Sequence, residues 1–200
     1  MPELRHPDPP LADEGVLLRP WRRADAPAMV AAYADPLVHG FSWPYERGYT
    51  ARDAHAFLDR QESARLRGEG IDFALADPDA PEVLLGGASM YALRPGGRGA
   101  AVGYWLAPGA RGRGVATRAV RLIAGWAFDG LGLARLELTC VTDNLASQRV
   151  AERCGFTREA LLAAHTPFKG TMRDTVLYGL RAGRAASGDG GDPELAVDAR

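Results

Sequence analysis

The 200 residues, 46% hydrophobic and 24% charged, are enough to bury one core of ordinary size. A formal net charge of −1 argues against bulk binding to nucleic acid or to a membrane surface. Two cysteines, Cys140 and Cys154, make no disulfide framework; no Cys/His spacing points to a metal, and no run approaches the ~18 apolar residues of a membrane span.

The first stretch, "MPELRHPDPPLADEG", is polar and Pro-rich and lacks the apolar core of a signal peptide, so the expectation is a cytoplasmic chain. Residues 1–14 are expected to form a flexible N-terminal segment, 15–182 the folded domain, and 183–200, rich in Gly, Asp and Ala, a disordered tail. A short strand is predicted over 16–20 and a helix over 24–33. "DPLVHGFSWPYERGY" follows as an aromatic loop broken by Pro and Gly. Thr50, with Asp53 three residues on, predicts a capped helix whose Ala54, Phe57, Leu58 and Ala64 share a face.

Strands are predicted over 71–76 and 83–93, then, after the turn "RPGGRG", over 100–106. Val115, Ala119, Leu122, Ile123 and Trp126 make one apolar stripe of a helix over 115–129. A strand over 135–141, a short helix stopped by Gly155 and an alternating strand over 171–180 complete the domain. The fold class is α+β: a mixed, mostly antiparallel twisted sheet flanked by helices, with the 115–129 helix crossing between two strands.

Between strand and helix lies "APGARGRGVATRAV", residues 107–120. A helix N-terminus presents about four unpartnered N–H groups and roughly half a positive charge, and glycines let a phosphate approach the backbone. Arg111 and Arg113 add charge; a plain surface turn with solvated arginines is the competing reading. A P-loop requires a Lys that is absent here. A dinucleotide fingerprint finds Gly112 and Gly114 but Thr117 where the third glycine belongs, and several elements precede it.

The pattern R-x-x-G-x-A does fit, as Arg111, Gly114 and Ala116. Downstream, "RLELTCVTDNLASQRVAERCGF" places Asn144 eleven residues before Gly155-Phe156, and "DTVLYGL" closes the domain. In these three motifs, over about residues 15–180, the chain resembles the GNAT acyl-CoA N-acetyltransferase superfamily. "FSWPYERGYTARDAHAFL" and Asn-x-x-Ser are similar to its ribosomal-protein alanine N-acetyltransferase branch.

The resemblance implies acetyl-CoA as co-substrate, no metal, and two central parallel strands, 100–106 and 135–141, that splay beside the cofactor. Its pyrophosphate would rest on the turn and helix start: Leu106, Arg111, Gly112, Arg113, Gly114, Val115, Ala116 and Thr117. Asn144 and Ser147 would make a further pair of contacts, although Asn144 is also a natural helix cap. A main-chain N–H from 105–107 would face the acetyl oxygen.

Two expected side chains are missing. Where many relatives carry a Tyr as acid, this chain has Ala151; where some carry a Glu as base, it has Ala101. Ser147 is then the remaining hydroxyl, and Glu137 a candidate base that could instead pair with an arginine. The acceptor would meet Phe41, Ser42, Trp43, Tyr104 and His165, with the aromatics equally suited to plugging the core. Cys140 and Cys154 are expected to be buried, inert thiols.

The acceptor would be an amine on a peptide or a small molecule. Deprotonating a lysine costs about 4–5 kcal/mol at pH 7, an α-amine only about 1–1.5 kcal/mol, so a missing base favours an α-amine or another low-pKa amine. The alternatives are a catalytically weak acyl-CoA-binding module, an antibiotic-type N-acetyltransferase and a nucleotide-binding domain. Monomer and homodimer are both compatible with the sequence.

Overall fold

A computed structural model of the chain describes residues 3–94, 96 and 98–183. Eight strands form one sheet in the order β1-β2-β3-β4-β5-β6-β8-β7. They are β1 (Leu11–Asp13), β2 (Val16–Arg19), β3 (Gly70–Ala76), β4 (Leu84–Arg94), β5 (Gly99–Leu106), β6 (Arg135–Val141), β7 (Thr157–Phe168) and β8 (Thr171–Arg181). Every pairing is antiparallel except that of β5 with β6. A parallel pair needs a crossover, and the helix α4 (Val115–Gly125) supplies it.

One face of the sheet packs on α4, whose Val115, Ala119, Val120 and Ile123 are buried against Phe73, Val102, Leu136 and Leu138. The stripe predicted from sequence therefore faces the core. The α-helix stops at Gly125, and a π-helical turn (Trp126–Gly130) replaces its expected last residues. The other face carries α1 (Ala26–Tyr33) and α3 (Ala51–Leu66). Thr50 caps α3 reciprocally with Asp53, as their spacing implies. Arg19 and Asp25, paired at 2.8 Å and buried, fasten the end of β2 to the start of α1.

The structure departs from the sequence reading in three further places. The expected loop after α1 contains a helix, α2 (Pro36–Ser42). Asp35 caps it, accepting from the N–H groups of Leu37 and Val38, and Pro36 occupies the first turn where its missing N–H costs nothing. Residues 157–168 form the edge strand β7, so His165 lies in a strand rather than a loop; one exposed edge imposes no apolar alternation. The segment expected to be loose before Gly15 supplies β1, and Leu4 is buried with its N–H donating to Arg65 O at 3.1 Å. The expected C-terminal tail, from 184 onward, lies outside the described residues.

Candidate functional site

Strands β5 and β6 are in register only at Ala100↔Leu136 and Ala101↔Glu137. Beyond that they separate, β5 running on to Leu106 beside β4 and β6 to Val141 beside β8. A cleft of about 590 Å³ opens at the separation. Its walls are α2, the end of β5, the glycine turn with the start of α4, and the helix α5 (Leu145–Arg153).

The main-chain donors can be assigned from register. Ala107 N–H donates to Leu85 O at 2.9 Å. In an antiparallel pair, hydrogen-bonded positions alternate, so Trp105 and Gly103 point their N–H groups toward β4. Tyr104 and Leu106 point theirs to the opposite side, where β6 has moved away. Of the expected range 105–107, only Leu106 keeps an N–H facing the cleft.

The glycine turn is built as its composition implies. Gly112 and Gly114 have φ of +74° and +80°, a region L side chains seldom occupy, and Gly114 is the N-cap of α4. The first intrahelical bond is Arg118 N–H to Gly114 O at 3.0 Å. The N–H groups of Val115, Ala116 and Thr117, all on the cleft wall, therefore have no helical acceptor. An anionic pyrophosphate fits that end by charge and by hydrogen bonding.

Arg111 lines the same wall, and its Nη2 sits 2.5 Å from Asp35 Oδ1 and 3.4 Å from Leu106 O. Arg113 is exposed and off the wall. Arg149 and Arg153, unassigned in the sequence reading, supply cations across the cleft. Their spacing of four on the helix that begins at Asn144 was the available signal.

Asn144 is the N-cap of α5: its Oδ1 accepts the Ser147 N–H at 3.1 Å, so the capping role is realised while both residues stay on the cleft wall. Tyr104 reaches across from β5 and donates its hydroxyl to Ser147 Oγ at 3.2 Å. Burial pushes the Tyr104 phenol up to about 12, against the Ser147 bond that opposes the shift. Burial also raises both thiols, Cys154 to about 11, so neither is a ready nucleophile.

The remaining expected residues divide. Phe41 and Ser42, on α2, line the cleft. Trp43 does not; it is 8% exposed, packs on Tyr33, Tyr45 and Tyr49, and donates its Nε1–H to Arg47 O at 2.7 Å, so it plugs the core. His165 lies off the wall with Nδ1 2.8 Å from Thr175 Oγ1. Glu137 lies off the wall as well, where β5 and β6 still pair, held by Arg94 at 2.8 Å and Arg135 at 3.1 Å. Ion pairing, the alternative reading of this residue, is what its geometry supports.

Sequence reasoning passed over Asp72, a carboxylate buried in β3. It accepts from the Ser89 hydroxyl on β4. Burial, partly offset by that bond, raises it to about 6.

A mixed sheet with one splayed parallel pair, opening onto a helix N-terminus that an anionic pyrophosphate would fit, is the arrangement expected of an acyl-CoA-dependent acyltransferase. Residues 16–157 match the Acetyltransferase (GNAT) domain, and the chain belongs to that family. It is 27% identical over 172 residues to the uncharacterized N-acetyltransferase YoaA of Bacillus subtilis, covering 86% of this chain and 96% of that one. Among solved structures, Mycobacterium smegmatis RimJ in complex with CoA-disulfide superposes with a TM-score of 0.73 at 25% identity, over 84% of this chain and 82% of that one. RimL, a ribosomal L7/L12 alpha-N-protein acetyltransferase in complex with coenzyme A, gives 0.73 at 21% identity, over 86% and 96%. These neighbours share the eight-stranded mixed-sheet fold.

Proposed function

We propose that this enzyme transfers an acetyl group from acetyl-CoA to the α-amine of a protein or peptide, by direct attack of the amine on the thioester. The observation that carries the reading is the opening between β5 and β6, which brings the Leu106 N–H and the α4 N-terminus to one cleft. The pyrophosphate would rest on the N–H groups of Val115, Ala116 and Thr117, with Arg111, Arg149 and Arg153 adding charge. The pantetheine arm would then run between the strands, and the carbonyl oxygen would meet the Leu106 N–H as negative charge develops on it.

Attack forms the C–N bond; collapse breaks C–S and leaves the electron pair on sulfur. Ser147 is the hydroxyl that meets the departing thiolate. Among the described residues the one carboxylate on the cleft wall, Asp143, is bonded to Arg173 at 2.6 Å. With no unpaired carboxylate there to serve as base, an amine that is already partly neutral at pH 7 is favoured: the α-amine costs about 1–1.5 kcal/mol to deprotonate, a lysine about 4–5 kcal/mol. RimL, of the same fold, is described as acting on an α-amine.

Thiol release from acetyl-CoA, measured with two peptides, tests the reading. One has a free α-amine and no lysine; the other is blocked at the α-amine and carries one lysine. Faster release with the first is expected. Preference for the lysine peptide would sink the α-amine assignment, and binding of coenzyme A without thiol release from any amine would favour a binding module instead.

A further inference from the structure

We propose that Tyr104 is a positioning residue for the leaving thiolate: by donating its hydroxyl to Ser147 Oγ, it turns the serine hydrogen toward the cofactor sulfur. This rests on the acetyl-transfer reading given above.

Tyr104 stands on β5 two residues before Leu106, so the two share a sheet face, and it lines the cleft and reaches the first turn of α5. There its hydroxyl lies 3.2 Å from Ser147 Oγ. This bond joins the wall that carries the oxyanion donor to the wall that carries the hydroxyl. Ala151, one turn further along α5, is fully buried and offers nothing to the sulfur.

A serine hydroxyl has one hydrogen and two lone pairs. Tyr104 donates to one of those lone pairs, so the bond between them does not use the serine's own hydrogen. The serine hydrogen is therefore left to bond a sulfur. Without cofactor the Cys140 thiol on β6 is its neighbour; with cofactor the thioester sulfur competes. Burial keeps the Tyr104 phenol protonated, so it retains the hydrogen it donates to Ser147 Oγ, and the groups that face it, Cys140 and Cys154, are thiols that burial keeps neutral as well.

During collapse the C–S electron pair moves onto sulfur, and the chain Tyr104–Ser147–sulfur bonds the new thiolate while every hydroxyl keeps its own proton. The thiolate takes its proton from the ammonium formed by the attacking amine, through solvent. A bond whose acceptor gains charge strengthens, and the bond behind it strengthens with it.

Tyr104→Phe, Ser147→Ala and the double variant test this by steady-state kinetics, with coenzyme A binding measured on each. Tyr104→Phe is expected to lower kcat about tenfold, leave KM for acetyl-CoA within about twofold and bind coenzyme A normally. The double variant is expected to match Ser147→Ala, because Tyr104 acts through that serine. Wild-type kcat in Tyr104→Phe, losses that multiply in the double variant, or loss of coenzyme A binding would each overturn the proposal while leaving acetyl transfer intact. Absence of turnover in the unmodified enzyme would instead overturn both.

Discussion

Arg111 and Asp35, separated by 76 positions in sequence, meet at 2.5 Å and join the glycine turn to the cap of α2. The contact links the turn that would hold pyrophosphate to the helix whose Phe41 and Ser42 line the acceptor side of the cleft. The Arg111 bond, more than burial opposes it, holds the Asp35 carboxyl below its ordinary range, so it is charged at any working pH.

That negative charge subtracts from the positive field at the anion site. Asp35→Asn keeps a competent helix cap, since Asn caps as well as Asp, but removes the charge. Coenzyme A should bind about two- to fivefold more tightly to the variant, most clearly at low salt, in a calorimetric titration. Weaker binding would mean that Arg111 needs the carboxylate to point it at the ligand.

The Leu106 N–H has a sharper test in proline. Leu106→Pro removes the donor that faces the opening between β5 and β6 and breaks no bond to β4, so folding should survive. The kcat should fall by about 10²- to 10³-fold, as for the loss of an oxyanion-hole donor, with coenzyme A affinity changed little. Ala107→Pro, one residue on, deletes the bond to Leu85 O at 2.9 Å. It should lower the unfolding midpoint instead. Equal kcat in Leu106→Pro and the unmodified enzyme would remove this N–H from the reaction.

The turn proposed to hold the cofactor was legible as a structural element because it is local. Strand, glycine turn and helix are continuous from residue 99 to 125, and chirality forces glycine where φ is positive, as at Gly112 and Gly114. The missing parts depend on contacts distant in sequence. Tyr104 and Ser147 meet only because α4 returns the chain beside β5, and Arg111 finds Asp35 only when α2 folds over the turn. Asp35-Pro36 misled for a physical reason: a proline that breaks a helix interior also starts one. The exposed edge strand β7 carries no period for the sequence to show, and Trp43 served the core, where an aromatic in a loop looked equally suited to substrate.

Burial of Asp72 makes the stability of the fold depend on pH. The carboxyl is 7% exposed, and its pKa in the fold is about 6, above the ordinary 3.8. Between those two values the folded chain holds a proton at this position that the unfolded chain has lost. Stability therefore falls as pH rises from about 4 to about 6 and stays reduced above. Asparagine has nearly the same shape and still offers an oxygen to the Ser89 hydroxyl, without a charge to bury. Asp72→Asn should thus gain about 3 kcal/mol over the unmodified protein at pH 8, and the gain should shrink to a small fraction of that by pH 4, where the folded carboxyl is protonated and the unfolded one partly so. Paired urea denaturation of the two proteins at pH 8, 6 and 4 isolates the effect, because the other carboxylates titrate alike in both. A loss of stability at pH 8 would show instead that the buried charge is compensated by the fold, and that β3 depends on it.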